Sequence, residues 1–375
     1  MKRRSLRIVI LGLSLSSAWG NGHATTYRAL IRSLSDRGHR VMFLERDVPW
    51  YAANRDLIGP ACCELHFYDG LAGLEDWKRE IASADLVIIG SFVPDGIAVA
   101  DWVFRVARGK IAFYDIDTPV TLSALARGTC TYLSPAQVRQ YACYFSFTGG
   151  PTLKLLVDKW RARSALALYC SVDTTIYKPQ LTRKRWDLGY IGTYSADRQP
   201  GVERFINEVA RQLPEMTFVV AGAQYPSSIR WPENVERIEH VPPSKHAEFY
   251  SSLGWALNLT RADMRTAGFS PSVRLFEAAA CETPIISDDW PGLEAFFVPD
   301  QEIVTAESSE HVTGVLQMPA EDRRRIGEAA RERVLLEHTS DWRAIELENW
   351  FADGGRDESR AKMDQKGKLT SVDQA

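Results

Sequence analysis

Little in this 375-residue sequence points to a membrane, a metal or a polyanionic partner. Its 45 Lys and Arg nearly balance its 48 Asp and Glu, leaving a formal net charge of −3. A chain so close to neutral has no global field to recruit nucleic acid or an anionic surface, so the expectation is a small-molecule ligand and no nucleic-acid partner. Nothing approaches the roughly 20 consecutive apolar residues that span a bilayer, so no transmembrane segment is expected. The six cysteines, Cys62, Cys63, Cys130, Cys143, Cys170 and Cys281, have neither zinc-ligand spacing nor the density of a disulfide scaffold. They read as reduced, mostly buried thiols of a cytoplasmic protein. The start, MKRRSLRIVILGLSLSSAWG, has the basic head and apolar stretch of a signal peptide. Its apolar run is short and leads straight into a glycine loop and a helix, which suits a buried first strand better.

What is present is ordinary globular material, 45% hydrophobic and 25% charged, in a chain long enough for two domains. After RIVILG, the segment TTYRALIRSLSDRG places Tyr27, Leu30, Ile31 and Leu34 at helical spacing and stops at Gly38. VMFLERD reads as a strand, DWKREIASA as a helix, DLVIIG as a strand, ADWVFRVARG as a helix and KIAFYDID as a strand. Strands apolar on both faces that alternate with helices argue a parallel, doubly wound α/β sheet. The pattern restarts after SVDTTIYKPQLTRKRWD, whose Pro179 forbids a continuing helix. The domains are therefore placed at 1–172 and 173–337, two Rossmann-like units facing a central cleft. A terminal helix at 338–352 should return to the first domain, and 353–375 reads as a disordered polar tail.

The most specific stretch is RTAGFSPSVRLFEAAACETPIISDDWPGLEAFF, residues 265–297. Gly268 permits close backbone approach, and the helix it precedes offers free N–H groups and a positive end to an anion. Glu277, two turns along that helix, suits the vicinal diol of a ribose. Leu275, Phe276, Ala279 and Ala280 form an ordinary core face. A second stretch, LGYIGTYSADRQPGVERF at 188–205, sets Arg198 beside a glycine loop, and its guanidinium can fork two phosphate oxygens.

Together these stretches resemble the nucleotide-sugar site of glycosyltransferases with two Rossmann-like domains, the GT-B architecture, and most closely the CgeB-like (spore-maturation type), glycosyltransferase group 1-like branch. The resemblance implies a glycosyltransferase moving a sugar from a nucleotide-diphosphate donor to a hydroxyl acceptor, with no metal and no cofactor. It implies donor contacts from Gly192, Arg198, Gly222, Gly268, Phe269, Ser270, Arg274 and Glu277, with Gly222 at the nucleotide base. Asp173 and Pro179 match the segment between domains. Many retaining members carry two glutamates separated by seven residues, and Phe269 stands where the first would be. Its role must come from elsewhere, or the stereochemical outcome differs.

The amino-terminal loop GNGHATTYRAL partly fits a dinucleotide fingerprint: Gly20 and Gly22 match and Glu45 ends the second strand, but Thr25 replaces the third glycine. That weakens a nicotinamide dehydrogenase. In the GT-B fold this loop faces the acceptor, so Gly22 is acceptor-side and His23 is a candidate for deprotonating a sugar hydroxyl, beside the alternative that it only holds the turn. YDIDTPVT contains D-x-D, and Asp117 is read as a second catalytic candidate lining the acceptor side, with metal binding or a turn cap as alternatives. RDVPWYAANRD is read as a loop whose Trp50 and Tyr51 face the acceptor, alongside Arg55. A nucleotide-sugar epimerase and a non-catalytic nucleotide-sugar binding protein are the alternatives on the same fold.

Overall fold

A computed structural model describes residues 4–20, 22–57 and 59–353. The expected tail at 354–375 lies outside the described residues. The first half is a parallel sheet of seven strands, β1 (Arg7–Gly12), β2 (Arg40–Arg46), β3 (Glu64–Tyr68), β4 (Leu86–Gly90), β5 (Lys110–Asp115), β6 (Cys143–Ser146) and β7 (Ala165–Ala167), in the order β3-β2-β1-β4-β5-β6-β7. The apolar start of the chain is the central strand, flanked by β2 and β4 through parallel ladders. Its near-complete burial suits RIVILG, since helices cover both sheet faces.

The second half repeats the plan with six parallel strands, β8 (Trp186–Ile191), β9 (Phe218–Ala221), β10 (Val235–Ile238), β11 (Leu253–Asn258), β12 (Ile285–Ser287) and β13 (Val304–Thr305), ordered β10-β9-β8-β11-β12-β13. Each sheet reverses its winding beside its first strand, between β1 and β4 and between β8 and β11. Such switch points leave crevices at the carboxyl ends of the strands, where open α/β sheets bind ligands.

Several contacts tie the halves together. Gly149 N donates to Phe269 O at 2.9 Å, and the Thr148 and Ser270 hydroxyls lie 2.8 Å apart. Farther round, Val172 N donates to His338 O and Ser340 N donates to Val172 O. The chain crosses there into the Ser340–Ala352 helix, which packs on the His23–Asp36 helix. Ser33 and Ser340 hydroxyls meet at 2.8 Å, and the Arg37 guanidinium forks Glu348 with two contacts of 2.7 Å. The Ala320–Glu337 helix packs on the Val273–Ala280 helix of the second half. Its Gly327 lies so close to the Glu282 carbonyl that a Cβ would sit 2.7 Å from it.

Cys143, Cys170 and Cys281 are buried, whereas Cys62, Cys63 and Cys130 are half-buried; all six are free thiols. No helix among the described residues is long and apolar enough to cross a membrane.

Candidate active site

The carboxyl ends of the two sheets face one another across a cleft of about 630 Å³. On its first-half wall the loop after β1 is shaped by Glu45. This fully buried carboxylate accepts from Leu15 N (2.6 Å), Ser16 N (2.8 Å), Ser14 Oγ (3.2 Å) and Ser16 Oγ (2.7 Å). A buried charge needs that many donors, and so engaged it cannot serve a ribose, which removes the last support for a nicotinamide site.

The loop ends at Gly22, the N-cap of the His23–Asp36 helix, so His23 is the first helical residue rather than a loop residue. The side chain is only 6% exposed. His23 Nε2 lies 3.2 Å from Asp117 Oδ2, and the Phe92 ring meets the imidazole edge-on with centroids 5.6 Å apart. Among the described residues the buried His23 Nδ1 has no hydrogen-bond partner. Asp117 ends the loop after β5 and precedes the Thr118–Ala126 helix, but its carboxylate makes no capping bond and turns into the cleft. Burial pushes the Asp117 carboxyl up; the His23 hydrogen bond and the nearby charges of His23, Arg261 and Arg198 outweigh it and hold the carboxyl below the usual range.

The two carboxylates of the D-x-D triplet point to different places. Asp115 is fully buried, bound by Thr121 Oγ1 (2.7 Å) and the Tyr144 hydroxyl, and burial pushes its carboxyl up to about 6. It cannot join Asp117 around one ion, and among the described residues no three His, Cys, Asp or Glu side chains are grouped to hold a metal.

On the same side Tyr51 lines the cleft, while Trp50 is 56% exposed and stands outside it. Both sit on a short helix, Pro49–Ala52, where a loop was expected; Pro49 at its first turn supplies the fixed φ that favours it. Arg55 turns away, its guanidinium 3.8 Å above the Phe67 ring and bonded to Asp47 at 2.8 Å.

The second-half wall is cationic. Gly192 and Gly222 allow the ends of β8 and β9 to meet: Gly222 has φ +145°, and a Cβ there would lie 2.0 Å from Gly192 O. Arg198 follows in the same loop and lines the cleft, one nitrogen donating to Thr193 O at 2.8 Å and its buried Nε without a partner among the described residues. Burial and the neighbouring Arg274 and Arg261 charges lower its affinity for its proton. Arg274 is fixed by bonds to Ile191 O (2.7 Å) and Asn258 Oδ1 (2.8 Å) and lies over the Tyr190 ring at 4.7 Å. Arg261 reaches across the cleft, its Nη1 4.0 Å from Asp117 Oδ1.

Glu277 is 4% exposed, not solvated, and accepts from the Tyr250 hydroxyl at 3.0 Å. It lines a side recess of about 130 Å³ with His240, Val241, His246 and Arg274. His246 is held at both nitrogens, 3.1 Å from the Tyr177 hydroxyl and 3.0 Å from Val241 O.

Gly268, Phe269 and Ser270 occupy a different place from the one expected. None lines the cleft. Gly268 has φ +65°, and a Cβ would strike Pro291 O at 2.5 Å, so its glycine serves packing. Phe269 has φ +47° and is wedged between Gly150 and Gly292, whose Cβ atoms would lie 2.3 and 2.5 Å from its ring. With Ser270 bonded to Thr148, these residues join the halves. The turn facing the cleft is 271–274, where Ser272 Oγ accepts from Arg274 N at 3.3 Å to cap the Val273–Ala280 helix.

Sequence reading missed Arg261, Phe92, His240 and His246. Arg261 and Phe92 each follow a wholly buried strand, β11 and β4, by two or three residues. The rule that ligands bind beyond the carboxyl ends of parallel strands would have flagged both.

Comparison with known proteins agrees with this geometry. Residues 198–349 match the family model described as glycosyl transferase-like. No curated protein matches the chain in sequence. Among solved structures it resembles a sucrose-phosphate synthase from Thermosynechococcus elongatus (14% identity, TM-score 0.68, 93% of this chain and 99% of that one). It also resembles HepE of Anabaena in complex with UDP and glucose (10%, TM-score 0.69, 93% and 100%). An alpha-glucosyltransferase in complex with UDP-glucose and DNA containing an abasic site is similar too (15%, TM-score 0.71, 93% and 100%). The chain thus has the two-domain GT-B fold, and its residues 198–349 match a glycosyl transferase-like family model.

Proposed function

We propose that the enzyme transfers a sugar from a nucleotide-diphosphate donor, seated on the second half of the cleft, to an acceptor hydroxyl on the first half, with His23 as general base and without a metal ion. The observation that carries this reading is the His23–Asp117 pair facing three arginines across one cleft. Asp117, held ionised, accepts from His23 Nε2–H and selects the tautomer with a lone pair on Nδ1. That nitrogen has no partner among the described residues, and an acceptor hydroxyl hydrogen-bonded there would complete it. As the hydroxyl oxygen bonds to the anomeric carbon, its proton passes to Nδ1 and the sugar–phosphate bond breaks. The electron pair leaves with the diphosphate, whose charge Arg198 and Arg261 offset.

Glu277 would hold the ribose hydroxyls in the side recess, its carboxylate oriented by Tyr250. An epimerase would need acid and base groups around the sugar. Among the described residues lining the cleft and its recess, Asp117 and Glu277 are the carboxylates, and each already has a partner.

Incubation with a panel of nucleotide sugars tests this. Nucleoside diphosphate release that rises with an acceptor supports transfer; sugar interconversion would favour the epimerase, and binding without turnover a sensor. Release should persist in EDTA, and loss of it with recovery in Mn²⁺ would overturn the metal-free part.

A further inference from the structure

The two walls of the cleft differ in charge in a way that bears on the acceptor. Its three arginines all come from the second half, and no Lys or Arg of the first half is among the described residues lining it. The first-half wall is instead apolar and aromatic, from Leu13, Trp19, Tyr51, Phe92, Ile116 and Phe147. Among the described residues, its polar side chains besides the tips of Tyr51 and Trp19 are His23, Thr26 and Asp117. Building on the transfer reading above, we infer that the acceptor is an uncharged, flat hydroxyl compound of the phenol class, bound against this wall with its hydroxyl toward His23.

Three arguments lead there. A polyanionic acceptor needs cations along its phosphates, and this wall supplies none. A sugar acceptor would bring several hydroxyls, each costing about 1–3 kcal/mol if buried unpartnered, to a wall whose carboxylate is already engaged by His23 and faced by Arg261. A phenol brings one hydroxyl and a ring. Its proton, with a pKa near 10, is also far easier for an imidazole to remove than that of an alcohol, which lies near water at about 15.7.

Phe92 supplies an independent observation. It has φ +61°, a backbone conformation a bulky side chain rarely adopts. The surroundings enforce it: Ser91 N is bound to Tyr114 O at 3.0 Å, and Gly96 lies where a Cβ would be 2.7 Å from Tyr132 O. The result is a ring held against Tyr132, centroids 4.6 Å apart, with its other contact on the His23 imidazole. Strain retained at a cleft wall beside a candidate base marks a shaped surface, here one side of a slot for a planar ring.

The test uses the full chain and whichever nucleotide sugar it turns over. 4-Methoxyphenol, 4-methylumbelliferone, methyl β-glucoside and a single-stranded oligonucleotide are offered as acceptors, and nucleoside diphosphate release is read against the acceptor-free rate. The expected result is saturable stimulation by the phenols. Tyr51→Ala and Phe147→Ala should each raise the phenol KM roughly 5- to 10-fold relative to any change in donor KM, as loss of ring contact predicts. Stimulation by the glucoside or oligonucleotide and not by the phenols overturns the inference but leaves the transfer reading standing, as does donor hydrolysis that every phenol leaves unchanged. Failure to bind or turn over any nucleotide sugar overturns both.

Discussion

His23 Nε2 stands 3.2 Å from Asp117 Oδ2 although 94 residues separate them in the chain. β1 and β5 are not neighbours, since β4 runs between them, yet the loops leaving their carboxyl ends converge over it. Asp117→Asn keeps the shape and removes the anion that selects the His23 tautomer, so kcat should fall about 100-fold or more, within the range for impaired general-base help. His23→Gln should do the same. Gln is preferred to Ala because His23 is almost wholly buried and truncation would also leave a cavity. Wild-type kcat in both variants, with a lowered melting temperature, would show that the pair only fastens the two loops.

Arg198 should matter to the diphosphate and little to the nucleoside. Its unpartnered Nε and its place between Arg261 and Arg274 leave it free to meet an anion, whereas Arg274 is already tied to Ile191 and Asn258. Arg198→Ala should weaken binding of the donor's nucleoside diphosphate by about 1.5–3 kcal/mol, the value of a hydrogen bond to a charged group, and leave affinity for the matching nucleoside within a factor of two. Titration calorimetry with both ligands decides it. Equal losses would place the guanidinium elsewhere.

The sequence made much of this legible, and the reasons it stopped short are physical. β1, β4 and β8 are buried on both faces, so their apolar runs announce them. β3 is a half-exposed edge strand and β7 has three residues, so neither carries such a signal. His23, Asp117 and Arg198 were singled out by a glycine loop, a D-x-D triplet and a guanidinium beside a second glycine loop, and all three lie past the end of a buried strand, where open α/β sheets bind ligands. That logic does not report side-chain direction. Phe269 and Ser270 have the right neighbours in sequence, but the left-handed backbone at Phe269 turns the segment toward Gly150 and Thr148. That Glu277 borders a buried recess is likewise a matter of packing, since the Tyr250 hydroxyl donates to its carboxylate there.

Placing a carboxylate at position 269 should therefore not build a second donor-site glutamate. The Phe269 ring fills a gap between Gly150 and Gly292 at the junction of the halves, away from the cleft. Phe269→Glu would lose that packing and bury a charge beside backbone, so melting temperature should drop by several degrees, the response to about 3 kcal/mol or more of lost stability. Turnover per folded molecule should not rise. A stable Phe269→Glu protein with enhanced turnover would put this position in the donor site after all.

Asp115 gives the protein a pH dependence of stability that is separate from the candidate site. Burial raises its carboxyl to about 6, against about 3.8 when the chain is unfolded, even though Thr121 and Tyr144 donate to it. The folded state therefore binds the proton more tightly. Between about pH 4 and 6 the unfolded chain has released that proton while the folded one keeps it, so stability falls as pH rises through this window. The full penalty, about 3 kcal/mol for roughly two pKa units, is present above pH 7. Asp115→Asn retains an oxygen acceptor, lets the hydroxyls of Thr121 and Tyr144 rotate to suit, and cannot ionise. Its stability relative to wild type should improve by about 1 kcal/mol between pH 5 and pH 8, a shift of a few degrees in the melting-temperature difference. Comparing the two proteins at each pH cancels every other titrating group common to both. A melting-temperature difference that stays flat from pH 5 to pH 8 would mean that Asp115 is already ionised at pH 5, and that its hydrogen bonds outweigh its burial.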